Sequence, residues 1–431
     1  MKLTGFIALL PACFFVISLP VHAQQPWPEG IFCSCPPTTG IGPGSVMPQV
    51  AAKDFVSGVL VRVAWKDLEA QPGVYRWSLL DSQFTAASAY GKRIALAVMN
   101  GPQAPDWLYD AGAKEFAYSF RGNPTRMPVP WDSVHLARWT DFVSKLGARY
   151  DGHSQLALVH MTHATANGFE MQLPFSPQDI ANWTLAGWTP QRHIESWTRV
   201  LDAFASAFPT APLDADVHPV LKNDSVAAAV AAYSRSVAEA RAGVFAAWWS
   251  QNNTVTYAAQ YTLLLDAAQR GRSGVQMVTN GTNDSAGFGP GGLAAAMDLA
   301  AAGGIRYFEV WNADILNPVY DALLRSHALR TSIEHGAMTS PRSFTASAYP
   351  HPATRDAVIN IGTEDACVVR GSILSMLGRM ISVFDGIAVP AGGGSVPFHA
   401  MLNGGEFPGQ GLYVIILSAG ERMVPLKLIV R

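Results

Sequence analysis

The sequence predicts an α/β fold, a (β/α)8 TIM barrel followed by a small C-terminal β-sandwich. Three observations carry this. Short apolar runs alternate with helical patterns eight times between Gly30 and Leu329. That alternation implies a parallel sheet, and its span suits a barrel of roughly 250–300 residues. No Gly-x-Gly-x-x-Gly and no Walker loop follows an early strand, which argues against an open doubly wound sheet. Past Ser340 the alternation gives way to short β-type runs separated by Gly and Pro.

In chain order, Gly30 to Cys35 is the first strand, and a Pro- and Gly-rich loop runs from it to about Pro48. Gly58 to Trp65, rich in β-branched residues, is the second. Ser78 is placed to cap a helix that carries Leu79, Leu80, Phe84 and Ala87 at helical spacing and stops at Gly91. Arg93 to Met99 is the third strand, and the turn Pro130-Trp131-Asp132 leads into a helix from Ser133 to Tyr150. Leu156 to Thr162 is the fourth strand, followed by a helix from His193 to Phe208. Leu213 to Val217 is the fifth, with an Ala-rich helix from Ser225 to Arg241. Val244 to Trp249 is the sixth, with a helix from Thr256 to Gln269. Gly274 to Thr279 is the seventh, with a helix from Gly292 to Ala302. Ile305 to Trp311 is the eighth, with a helix near Pro318 to Leu329. In the tail the β-type runs are 357–361, 367–369, 372–376, 380–384, 412–417 and 425–430.

The 431 residues therefore divide into 1–23, 24–340 for the barrel and 341–431 for the sandwich. Residues 1–23 have the form of a signal peptide: Lys2, an apolar stretch from Phe6 to Leu19, and Val21-His22-Ala23 at the cleavage position. Pro11 and Pro20 break that stretch, which is short for a membrane span, so the mature chain is expected to hold no transmembrane segment. Hydrophobic residues make up 49% and charged residues 14%, a globular composition. A net charge of −2 gives no electrostatic grip on nucleic acid. The mature chain keeps Cys33, Cys35 and Cys367; a Cys33–Cys35 bridge is expected to be strained, and the spacing fits no zinc site. No metal and no cofactor is expected.

Two stretches concentrate the chemistry. Leu156 to Met171 opens apolar, turns polar at His160 and ends at Glu170 in a loop with Asn167 and Gly168. Ile305 to Asn312 carries Glu309 inside its apolar run, where a lone carboxylate is costly to bury. Barrels of this kind present their chemistry at the C-terminal ends of the strands. Two carboxylates facing one pocket are what glycosidic-bond cleavage needs, one of them protonated near neutral pH. Asp214, Asp216 and Asp284 are the alternatives for the second carboxylate. Trp65, Trp107, Trp131, Trp249 and Trp311 fall at or near strand ends, where aromatic faces can stack on sugar rings. Arg62, Asn100, His160, Asn167, Asp216, Asn252 and Asn280 are the candidate partners for sugar hydroxyls.

The segment Val61 to Trp77, with its Trp65, Leu68-Glu69 and Pro72-Gly73, and the later Pro105-Asp106-Trp107-Leu108 resemble the β-galactosidase-like glycoside hydrolases. The resemblance spans residues 55 to 171 and implies a carbohydrate substrate and a retaining mechanism, with an acid/base Glu after the fourth strand, matching Glu170. Two departures stand out. Phe169, not Asn, precedes Glu170, and the family's nucleophile belongs on the seventh strand, whereas Glu309 counts to the eighth. A catalytically inactive barrel that binds glycans or acts as a surface scaffold is the other reading.

The tail has Tyr349-Pro350-His351-Pro352, Leu377-Gly378-Arg379, Gly411-Leu412-Tyr413-Val414 and a closing Lys427-Leu428-Ile429-Val430. It resembles the C-terminal sorting domain of the type IX secretion system, with His351 where that family has Asn. The resemblance implies a secretion machinery as partner, export across an outer membrane, and release or attachment at the cell surface.

Overall fold

Eight parallel strands close into a barrel in sequence order: Gly30–Ser34, Val56–Ala64, Arg93–Met99, Leu156–His160, Leu213–Asp216, Ala242–Trp249, Ser273–Met277 and Tyr307–Trp311. The ring is sealed where Gly30 pairs with Tyr307 and Ser34 with Trp311. The computed structural model describes residues 25–35, 46–238, 241–333, 343–350, 352–375, 380–402, 408–419 and 422–431. The expected leader, His351 and Leu377-Gly378-Arg379 lie outside them. Among the described residues no helix is long and apolar enough to cross a membrane.

Strand alternation sorts the side chains into two sets. Val59, Val61 and Val63, Ile94, Leu96 and Val98, and Phe308 and Val310 face outward into the main core, shared with the helices. Phe32, Leu60, Ala95, Leu158, Phe245 and Tyr307 face inward and form a separate apolar floor. Gly274 leaves room for this floor: a Cβ there would lie 2.3 Å from the Tyr307 ring. Two residues further along each strand, on the same inward face, come Ser34, Arg62, His160, Gln276 and Glu309. The barrel therefore carries a polar layer directly on an apolar floor.

The same parity corrects the reading of the thiols. Cys33 and Cys35 are two apart and share the outward face, both fully buried, with their Sγ atoms 2.6 Å apart.

Several helices differ from expectation in their ends. The helix Ser78–Ala89 starts at Ser78 itself; Trp77 occupies the N-cap position without a side-chain bond. The expected helix 256–269 is two, Gln251–Thr256 and Ala258–Ala268, with Tyr257 between them. Other elements had no expectation. A β-hairpin, Glu115–Phe120 and Asn123–Pro128, rises after the third barrel strand, and its Tyr118 hydroxyl donates to the Ala166 carbonyl at 2.5 Å. The helix Pro177–Leu185 begins with a capping box between Ser176 and Asp179.

In the C-terminal region, Phe344–Tyr349, Val358–Thr363 and Gly394–Pro397 form a three-stranded sheet. Met380–Val389, Cys367–Ser375, Gly411–Ala419 and Arg422–Val430 form a four-stranded antiparallel one. Ile359, Ile361, Val369, Ile373, Phe398, Ile415, Leu417 and Leu428 make its own core, consistent with a small sandwich. Two expected runs, 367–369 and 372–376, fuse into the single strand Cys367–Ser375.

Three histidines stack outside the barrel. His135 and His163 lie 5.6 Å apart at 18°, and His163 and His193 6.2 Å apart at 21°. All three are fully buried, and burial pulls His135 down to about 4, His193 to about 3, and His163 well below its ordinary value. Neither ring nitrogen of His193 has a hydrogen-bond partner among the described residues. The unfolded chain therefore binds protons that the fold excludes, so this stability is present above pH ~6.5 and is lost as pH falls toward the folded values. Replacing His193 with Phe should reduce the loss of stability between pH 7 and pH 5 by on the order of 2 kcal/mol. Urea unfolding at both pH values checks this, because a simple packing change shifts both curves together.

Candidate active site

The polar layer of the barrel is organised by His160. Its Nδ1 lies 2.7 Å from Asp214 Oδ1 and its Nε2 lies 3.0 Å from Glu309 Oε1. Burial works against a charge on this ring, but the Asp214 and Glu309 carboxylates outweigh it and push His160 up to about 10. Burial pushes Asp214 up to about 6, against the pull of His160. We take His160 as the cation between two carboxylates.

Glu309 is fully buried, and donors converge on it from its own strand and the adjacent seventh. The Tyr307 hydroxyl donates to Oε1 at 2.5 Å, and the Gln276 amide donates to Oε2 at 2.6 Å. The same amide lies 3.1 Å from Ser34 Oγ, which also accepts from Arg62 at 3.3 Å. Glu309 stands on the eighth barrel strand, as the sequence count has it. The seventh, Ser273–Met277, holds no carboxylate; its inward polar residue is Gln276. The ion-pair partner of Glu309 is His160, which reaches across the barrel.

Glu170 sits at the mouth with its side chain 30% exposed. Asn167 Oδ1 accepts from the backbone N–H of both Phe169 and Glu170, at 3.0 and 2.9 Å, so Asn167 shapes the loop rather than facing a ligand. The Gly168 carbonyl accepts from Asn100 N–H at 3.1 Å, tying this loop to the one after the third strand. Burial pushes the Glu170 carboxyl up, opposed by His218, with Asp216 adding to the rise and Asn167 and Arg62 opposing it. Asp216 Oδ2 accepts from His218 Nδ1 and from Met171 N–H, both at 2.8 Å, and its Oδ1 accepts from Ala247 N–H at 3.0 Å. Both Asp216 oxygens therefore bond within the protein, and the residue is buried.

Arg62 links the two glutamates. Its guanidinium lies 5.6 Å from the Phe169 ring and 5.4 Å from the Trp311 ring. Burial pulls its pKa down, and the charges of Glu309 and Glu170 oppose that.

The expected rim of tryptophans does not form. Trp65 and Trp249 are fully buried; Trp65 packs on Trp139 at 5.0 Å and the Trp249 indole donates to Ala296 O at 2.8 Å. Trp131 is 9% exposed and packs on Trp183 and His193. Trp107 is half-buried, edge-on to Trp65, with its indole bonded to Glu69 O. Trp311 alone of the five joins the polar layer, over Arg62. Asn100 is fully buried and spends its side chain on Gly101 N–H and His135. His160 is closed between carboxylates, Asn252 is exposed on the helix Gln251–Thr256, and Asn280 caps Asn283 N–H. Asp284 is exposed and caps the turn Ser285–Phe288, which removes it as a second carboxylate.

Sequence reasoning missed Ser34, Gln276 and Tyr307 in the layer and the pairing of His218 with Asp216. Tyr307 was findable, since it is two residues from Glu309 on one strand. Among the described residues no cluster of three or more ligating side chains is placed to hold a metal.

No family model and no curated protein matches the chain. Among solved structures it is similar to a glycoside hydrolase, at 12% identity over 67% of this chain and 88% of that one, with a TM-score of 0.44. It is similar to a β-galactosidase from the psychrophilic Marinomonas ef1, at 11% identity over 69% and 59%, with a TM-score of 0.42. It is also similar to a β-galactosidase from the Antarctic haloarchaeon Halorubrum lacusprofundi, at 13% identity over 68% and 57%, with a TM-score of 0.42. At this level of likeness, what the chain does has to rest on its own residues.

Proposed function

We propose that the chain is an exported glycoside hydrolase that cleaves O-glycosidic bonds with Glu170 and Glu309, by a retaining mechanism. The observation that carries the reading is Arg62, whose guanidinium lies 5.6 Å from the ring of Phe169, the neighbour of Glu170, and 5.4 Å from the ring of Trp311, two residues past Glu309, although the two glutamates are far apart in sequence. The two carboxyls also stand in opposite environments. Glu170 is raised by burial, as a general acid needs, while Glu309 is ringed by donors, as an attacking carboxylate needs. Glu170 would protonate the leaving oxygen and then take a proton from water; Glu309 would attack the anomeric carbon. The leader-like residues 1–23 and the sorting-domain resemblance of the tail support release outside the cell or attachment to its surface.

The test uses lactose and cellobiose, whose sugar leaving groups are poor and need protonation. Glu170→Gln should keep its circular dichroism and lose turnover by on the order of 10²–10⁴. Glu309→Gln should lose at least as much, and the first-formed sugar should keep its anomeric configuration by NMR. An unchanged rate in either variant refutes the assignment of that residue.

A second reading is a barrel that binds glycans without cleaving them. The complete burial of Glu309 and the glutamine on the seventh strand favour it. Calorimetric binding of galacto-oligosaccharides with no product formed would establish it.

A further inference from the structure

The mouth of the barrel holds an arrangement that the two-carboxylate reaction does not use. His218 follows the fifth strand and is 1% exposed. Its Nδ1 is bound to Asp216 Oδ2 at 2.8 Å, and its Nε2 points to Glu170 Oε2 at 3.9 Å. The ring cannot swing away: Tyr257 stands edge-on at 5.3 Å and Trp248 at 6.2 Å. The Trp248 indole is itself bonded to the Val217 carbonyl at 2.7 Å, so that wall is fixed as well. Asp216 is equally fixed, by the backbone N–H groups of Met171 and Ala247. The charged and titratable groups facing Glu170 are thus His218 and Asp216 from the fifth strand, Arg62 from the second, and Tyr257 from the helix junction.

We propose that His218 is a positioning residue for Glu170: anchored by Asp216, it holds one carboxyl oxygen and leaves the other turned to the glycosidic oxygen. The proposal rests on the acid/base reading of Glu170. A fixed polar partner 3.9 Å from one carboxyl oxygen biases the rotation of the group, which favours proton delivery along one line. In the first half-reaction the Glu170 proton passes to the leaving oxygen, the C–O bond breaks, and Glu309 bonds the anomeric carbon. In the second, water bonds that carbon, its proton returns to Glu170, and the Glu309 ester bond breaks. His218 makes and breaks no covalent bond in either half.

Two readouts test this in the full chain. In the first, protein labelled with ¹³C at the glutamate carboxyls is titrated, with the Glu170 signal assigned by its loss in Glu170→Gln. In His218→Phe the Glu170 midpoint should rise by roughly one pH unit, because the His218 interaction that holds it down is gone. In the second, kcat on p-nitrophenyl β-D-galactopyranoside should fall about tenfold or more in His218→Phe, with KM little changed. The alkaline limb of its pH profile should move up with the midpoint. His218→Gln keeps a donor that cannot titrate, so it should recover rate while keeping the raised midpoint, and it serves if His218→Phe does not fold. An unmoved Glu170 midpoint in both variants overturns the proposal. If the wild-type chain hydrolyses no glycoside, the acid/base reading fails, and the titration still decides whether His218 holds Glu170.

Discussion

Replacing His160 with phenylalanine is expected to destabilise the chain by about 3–5 kcal/mol at pH 7, more than any other single change in the barrel layer. The ring lies between Asp214 and Glu309, both fully buried. Neither Asp214 oxygen has a well-directed hydrogen bond besides that ion pair among the described residues. Without the cation, two carboxylates face each other across a small apolar floor, and one must take up a proton to stay inside. The wild-type chain has a matching pH signature. His160 is raised to about 10 in the fold. Its stabilisation is therefore fully present below the unfolded value of ~6.5 and is lost as pH rises through about 10, on the order of 4 kcal/mol in all. In His160→Phe that alkaline loss should vanish, and lowering the pH below 7 should restore stability as the orphaned carboxyls protonate. Guanidinium unfolding at pH 6, 7 and 10 measures both. Equal alkaline slopes in the two proteins would show that His160 is neutral in the fold.

Gly168→Ala should remove most of the turnover while leaving the barrel folded. Gly168 has φ +82°, and a Cβ there would lie 2.1 Å from the Asn100 carbonyl oxygen, a backbone atom that cannot move aside. The loop must therefore lift off the neighbouring one, carrying Glu170 two residues on. A displacement of about 1 Å in a catalytic group costs on the order of 10²-fold in rate. The strain adds about 1–3 kcal/mol of lost stability. Gly152→Ala is the control, since its φ is +79° and nothing lies within 4 Å of the added Cβ. It should show the conformational cost alone, with full activity. Matching activities in the two variants would mean that the position of Glu170 is not held by this contact.

The barrel was legible because each strand buries both faces and is bounded by polar turns. Arg93–Met99 and Gly292–Ala302 fall at their expected bounds. The site was legible only in part, and the tryptophans show why. Trp65 follows Val61 and Val63 at a spacing of two, so parity already sends it outward to the helices. Trp249 breaks parity: the sixth strand shifts register between Ala246 and Trp249, which turns the ring toward Ala296. No local pattern announces such a bulge. Glu309 was singled out correctly as a buried carboxylate needing a partner. The identity of that partner was hidden because His160 lies on the opposite side of a closed sheet, and cross-barrel distances leave no trace in local spacing. The hairpin at 115–128 went unseen because Asn123–Pro128 contains two prolines, which read as loop.

The hairpin has one anchor on the Glu170 loop, where Tyr118 meets Ala166, while its tip at Arg121 and Gly122 is free of the barrel. The hairpin thus joins a contact that braces the Glu170 loop to an exposed turn. On the acid/base reading of Glu170, a library confined to residues 120–123 should spare turnover, since substitutions in the exposed turn leave the Tyr118–Ala166 brace in place.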